Sequence, residues 1–130
     1  MNAVAHCSAG LASILKEDDL NMLTYVDSAG GQHRGISKYP WIILQAKNSN
    51  QLASLRRSAD DHGIAFTDFT HTMLGNSAED QLTNTKSVSA DELDYFLVCL
   101  YGAASELEPL TKKFSVYRTS NDTEGSTRTE

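Results

Sequence analysis

Cysteine is scarce: Cys7 and Cys99 are the only two in 130 residues, which allows at most one bridge and excludes the disulfide framework of a small secreted domain. Long apolar runs are missing too. The longest uncharged apolar stretch, Tyr95 to Tyr101, falls far short of the ~20 residues a spanning helix needs, so no membrane segment is expected. Met1 to Cys7 lacks the basic region and apolar stretch of a secretion signal, and a cytoplasmic location is the expectation. No basic run occurs: 11 Lys plus Arg stand against 17 Asp plus Glu, a formal charge of −6. That balance counts against a general nucleic-acid binder, because phosphates are neutralised by clustered Lys and Arg. Glycine-rich phosphate cradles are absent, since Gly30-Gly31 and Gly35 match neither a P-loop nor a dinucleotide fingerprint, and no cofactor is expected. Histidine and cysteine at positions 6, 7, 33, 62, 71 and 99 show neither C-x-x-C nor H-x-x-x-H spacing, so no metal is expected either.

What remains is 40% hydrophobic residues in a chain of one-domain length. From Thr119 to Glu130 the chain has no large apolar residue, which predicts a disordered polar tail behind a single domain over residues 1–118. Within that domain, Val4, Leu11, Ile14 and Leu15 recur at helical spacing behind Asn2, a good cap, and predict a helix from Ala3 to Lys16. Leu20 to Val26 is ambiguous, and the turn residues Asp27 to Gly31 mark a turn or hairpin. Trp41 to Ala46 is nearly continuously apolar, as in a central strand covered on both faces. Ser49 opens a helix that Gly63 stops, with Leu52, Leu55 and Ala59 on one face and Arg56, Arg57, Asp60 and Asp61 solvating another. Ile64 to Phe69 then reads as a strand parallel to the central one, and Tyr95 to Tyr101 as a third buried strand. A short helical turn at Ser77 to Leu82, a helix from about Ser105 to Lys113 and an edge strand at Phe114 to Tyr117 complete the pattern. Helices interleaved with apolar strands predict an α/β fold, a three-layer α/β/α domain.

Asp68-Phe69-Thr70-His71-Thr72 falls at a predicted strand end, where open α/β sheets place their ligand crevice. Asp can orient or deprotonate a water, Thr can bind an oxyanion or carbonyl, and His titrates near neutrality. The same residues can equally satisfy loop and helix-terminal amides. His6 lies in the first turns of a helix, where the macrodipole favours a neutral imidazole; packing near the surface is its alternative role. The two cysteines read as small buried hydrophobes.

Tyr25-Val26-Asp27, the run from Gly35 to Leu44, Ala46-Lys47-Asn48-Ser49, Asp68 to Met73 and Leu110 to Phe114 together resemble the family known as domain of unknown function 2000. The resemblance implies kinship with the second, archaeal and eukaryotic type of peptidyl-tRNA hydrolase, which has a small four-stranded mixed sheet between helices and hydrolyses an ester without a metal. Asp68 and Thr72 keep that family's Asp-x-x-x-Thr pattern, with Phe69-Thr70 in place of its Ala-Gly, and Asn2 stands where the hydrolases carry a helix-start Lys. The resemblance also implies an apolar strand ahead of the first helix, and that strand is not in the sequence. An upstream start, a rearrangement or a second chain would fill the gap, so a shortened, less stable or homodimeric protein is expected. The leading expectation is a small-ligand-binding or regulatory module whose crevice uses His6, Asp68, His71 and Thr72, with Asn2 as a further ligand contact. On charge grounds tRNA is not the expected partner. The alternative is a metal-independent hydrolase of an ester or amide, peptidyl-tRNA included, with Asp68, Thr72 and His6 as its catalytic residues; a structural partner protein without a pocket is the third.

Overall fold

The computed structural model describes residues 2–119. Met1 and all of the expected tail except Thr119 lie outside the described residues. The order of elements is α1 (Asn2–Ile14), β1 (Met22–Val26), β2 (Gln32–Ser37), β3 (Leu44–Gln45), α2 (Ser49–Asp61), β4 (Ala65–Thr70), α3 (Ala78–Ser87), β5 (Tyr95–Tyr101), α4 (Ala104–Thr111) and β6 (Ser115–Val116). A 3-10 turn at His71–Met73 leads out of β4. Among the described residues no helix is long and apolar enough to cross a membrane.

The centre is the antiparallel pair β4–β5, in register from Ala65 opposite Tyr101 to Phe69 opposite Leu97, with an irregularity before Thr70 opposite Tyr95. Side chains on a strand alternate between faces, and the two helices read that alternation. Phe69 and Cys99 pack with Cys7 and Leu11 of α1, flanked by Ala65, Leu97 and Tyr101. On the opposite face Arg56 of α2 reaches Asp68 and lies over Phe66. The result is helix, sheet and helix in three layers. Gly10 makes the approach of α1 to β4 close, since a Cβ there would sit 3.4 Å from Thr67 Cγ2. The α2 helix is capped by Asn48, whose side chain accepts from the Gln51 amide at 2.9 Å. It ends at Gly63, whose φ of +65° few other residues adopt.

Several expectations are corrected. All three ladders are antiparallel and two-stranded, so there is no mixed sheet among the described residues. The segment 41–46 does not pair in parallel with β4: only Leu44 and Gln45 form a strand, opposite Val116 and Ser115 of β6. Trp41, Ile42 and Ile43 stay 51%, 72% and 54% exposed, so they are not a covered central strand. An apolar run states that a strand favours cover but not which partner supplies it. Ser49 does not cap α2; its hydroxyl accepts from the Tyr95 amide at 2.7 Å and ties α2 to β5. Asn2 is itself helical rather than a cap. The ambiguous segment is β1, hairpinned to β2 through the expected turn, and the expected turn at Ser77 extends into α3, with Ser77 accepting from the Asp80 amide.

Leu11 is 1% exposed at the centre of the α1 contact, whereas Leu82 on α3 is 72% exposed. Leu11→Ala is expected to lower unfolding free energy by about 2–5 kcal/mol in a urea titration, and Leu82→Ala to change it by less than about 0.5 kcal/mol. Equal effects would contradict the placement of the core.

Candidate functional site

A cleft of about 290 Å³ opens between the N-terminal half of α1, the C-terminal part of β4 and the start of α3. Asn2, His6 and Gly10, four residues apart and so on one stripe of α1, form one wall with Cys7. Thr67, Asp68 and Phe69 form the other. Because consecutive strand residues face opposite ways, all three can border one cavity only where it meets the strand's edge. Met73 and Gln81 close the end.

Two polar side chains at this edge, Thr67 and Asp68, are tied to neighbouring helices. Thr67 Oγ1 donates to the Cys7 carbonyl at 2.7 Å, locking β4 to α1. Asp68 Oδ2 accepts from Arg56 Nε at 2.7 Å, with side chains 17% and 38% exposed. That carboxylate is the main reason the Arg56 pKa lies above its ordinary value. Arg56 Cζ also sits 5.1 Å from the Phe66 ring centroid, a cation–π contact. Arg56 is thus a partner of Asp68 rather than a member of a merely solvated face. The second carboxylate oxygen, Oδ1, has no hydrogen-bond partner among the described residues. His6 is exposed, with its ring tilted 32° to Phe69 at a centroid distance of 6.3 Å, and it shares no hydrogen bond with Asp68 although both border the cleft.

The structure places Thr72 and His71 away from the cleft lining. Thr72 is 5% exposed, and its hydroxyl lies 2.8 Å from those of both Thr70 and Thr85. Thr85 Oγ1 donates to the Gln81 carbonyl at 2.8 Å. A hydroxyl has one proton to donate, so the chain of donation runs from Thr70 through Thr72 and Thr85 to Gln81. The Thr72 hydroxyl therefore holds α3 in position and, through it, Gln81 at the cleft's end. His71 clamps a neighbouring loop: its Nδ1 accepts from the Asp94 amide at 3.0 Å, and its own amide donates to the Asp94 carbonyl at 2.9 Å. Accepting through Nδ1 assigns the neutral ring's proton to Nε2. Asn2, His6 and Asp68 are thus brought together, and Gln81, Met73 and Cys7, the last read from the sequence only as a buried hydrophobe, join them. Among the described residues no three of His, Cys, Asp and Glu converge as a metal cage requires.

With fold and cleft described, comparison with known proteins gives two findings. The family model described as protein of unknown function (DUF2000) matches residues 1–118, and the chain belongs to that family. The structure is similar to that of Atu0240, a protein of unknown function from Agrobacterium tumefaciens, with a TM-score of 0.75 at 15% identity, covering 90% of this chain and 85% of that one. At that identity the likeness is one of fold alone. No match is found among curated proteins.

Cys7 and Cys99 are free thiols in the core beneath the cleft, 3% and 8% exposed. Burial, with the neighbouring Cys99 as the next cause, pushes the Cys7 thiol from 9.0 to about 11, and burial raises Cys99 as well. The native state therefore keeps protons that the unfolded chain releases. This contribution to stability is fully present below about pH 9 and is lost as pH rises toward about 11. The urea midpoint is expected to fall across that interval, and to fall less in a Cys7→Ala, Cys99→Ala variant. At about pH 8 a thiol reagent is expected to label the native protein far more slowly than the unfolded chain; equal rates would contradict the buried placement.

Proposed function

We propose that this DUF2000 family member is a binding module for a small neutral or cationic ligand, held in the cleft between α1 and the edge of β4. The observation that carries this reading is how the cleft's reactive groups are spent. Arg56 occupies one oxygen of Asp68 at 2.7 Å, and the Thr72 hydroxyl lies outside the cleft, committed to Thr70 and Thr85. Bordering the opening are Asn2, His6 and Asp68, with Gln81, whose Nε2 donates to the Gly75 carbonyl at 3.3 Å, beside the apolar Phe69 and Met73. A hydrogen-bonding rim beside an apolar floor serves recognition and orientation. The volume of about 290 Å³ lies near the lower end of ligand pockets, roughly 300–1,000 Å³, which fits a molecule the size of an N-acyl amino-acid amide. A net charge of −6 disfavours anions. Two free buried thiols fit a reducing compartment such as the cytoplasm.

One observation favours a hydrolase as the second reading: His6 and Asp68 border the same cleft. In that reading Asp68 Oδ1 orients a water, His6 takes its proton and the Asn2 amide donates to the developing oxyanion. The three-layer arrangement and the Asp68-x-x-x-Thr72 spacing support likeness to the second type of peptidyl-tRNA hydrolase. Asn2 in place of a cation, and the acidic charge, weigh against tRNA as the substrate.

Calorimetric titration with a panel of N-acetyl amino-acid amides and the matching esters separates the two readings. Binding predicts saturable heat that His6→Ala removes while the unfolding midpoint stays put, with the esters recovered intact. Turnover of an ester, or of peptidyl-tRNA, that drops about 10²–10⁴-fold in Asp68→Asn would replace binding by catalysis. Neither heat nor turnover would contradict both.

A further inference from the structure

Residues 72–93 leave β4 and return to β5 as one excursion, and its base is pinched shut. The His71 amide donates to the Asp94 carbonyl at 2.9 Å, and the Asp94 amide donates back to His71 Nδ1 at 3.0 Å. These bonds lie just beyond Thr70 and Tyr95, the last pair of the β4–β5 ladder. A movement inside the excursion therefore stops at the pinch and leaves the strand pairing intact. The excursion also carries one end of the cleft, since Met73 and Gln81 both line it.

Within the excursion α3 is attached by polar groups. It packs on the 3-10 turn at His71–Met73 and on no other element to a comparable extent. Its half-buried residues, Gln81 and Thr85, lie four apart on one stripe of the helix. Leu82, its one large apolar residue, is 72% exposed. Docking α3 therefore takes little apolar surface out of water, although apolar burial is what fixes most helices to their domains. Two hydrogen bonds do the holding: Thr72 donates to Thr85 at 2.8 Å, and Gln81 Nε2 donates to the Gly75 carbonyl at 3.3 Å. Water replaces such bonds when the helix leaves, so each contributes little net stability. The helix has little persistence of its own, because its ten residues are fewer than the roughly 12–15 that an isolated helix needs.

We infer that α3 is a detachable end wall of the cleft. It leaves and returns as a unit while β4, β5 and the two helices packed on them stay folded, and each departure takes Gln81 out of the cleft lining. Opening this end gives a ligand a second way in. A ligand that touches Gln81 then holds the wall shut, because it binds the docked form more tightly. The capture role rests on the binding reading above; the movement of α3 does not.

Native-state hydrogen exchange of the full chain reads the movement without a ligand. The amides of residues 82–87 are expected to exchange through an opening that dilute urea hardly promotes, whereas those of β4 follow the steep urea dependence of global unfolding. Leu11→Ala, which weakens the sandwich, is expected to speed exchange in β4 at least about tenfold and to leave residues 82–87 at the wild-type rate. Thr85→Val keeps the side-chain shape but removes the hydroxyl that receives from Thr72. It is expected to speed exchange of residues 82–87 about tenfold, and Thr85→Ser, which keeps a hydroxyl, to stay near the wild-type rate. One urea dependence for all amides, equal acceleration of both sets by Leu11→Ala, or no acceleration by Thr85→Val would overturn the inference. With an N-acetyl amino-acid amide at roughly a hundredfold excess over its dissociation constant, exchange of residues 82–87 is expected to slow at least about tenfold. Binding that leaves their rate unchanged would overturn the capture role. The absence of binding would overturn the binding reading, while the exchange rates still decide whether α3 moves.

Discussion

The rest of the molecule depends on covering both faces of β4–β5. Two strands alone would not persist in water, and each face has its own helix. Cys7 and Leu11 of α1 close one side over Phe69 and Cys99, and Leu55 and Ala59 of α2 are buried on the other. Because the side-chain period on β4 is two, this sandwich decides the direction of every residue from Ala65 to Thr70. A slip of one residue would send Asp68 into the apolar α1 contact and Phe69 out of it. Asp68 meets Arg56 because it belongs to the α2 face, and Thr67 meets the Cys7 carbonyl because it belongs to the α1 face. The cleft lies where these two sets of side chains emerge along one strand edge.

The polar chemistry around the cleft follows from the same economy. A half-buried carboxylate in a domain short of cations takes the nearest guanidinium, and Phe66 supports that guanidinium from below. Two buried threonine hydroxyls, Thr70 and Thr72, pass their hydrogen bonds to the half-buried Thr85 and end on a helical carbonyl, so that α3 is held by hydrogen bonds where it has no fully buried side chain. Both arrangements consume reactivity. They leave His6 and Asn2 as the cleft residues without a side-chain hydrogen bond among the described residues, on which the proposed binding role rests.

Elements whose signals are local were legible in the sequence. Tyr95 to Tyr101 forms β5 over the span its apolar run predicts, and Gly63 stops α2 because the chain turns left-handed there. The alternation of helices and strands identified the α/β class and its layers. Pairing was not legible, because an apolar strand carries no address for its partner: Trp41 to Ala46 and Ile64 to Phe69 read as parallel neighbours, yet β4 turns to β5 across the chain and β3 to β6. Of the residues singled out in the sequence, Asp68 within β4 and Asn2 and His6 at the start of α1 border one cleft. The commitment of Thr72 could not be foreseen, since it requires Thr85, thirteen residues on, to approach it. Arg56 looked like one of four solvated charges on a helix face, and only the strand packed beneath that helix reveals its partner.

The central claim is that the edge of β4 beside His6 and Asp68 is where a ligand sits. It is tested most directly by intermolecular nuclear Overhauser effects between a bound N-acetyl amino-acid amide and protein protons. The account predicts contacts to the His6 ring, the Phe69 ring and the Gln81 side chain together, as the geometry of one cleft requires. Contacts confined to the β1–β2 arm, or to Trp41 and its neighbours, would contradict it.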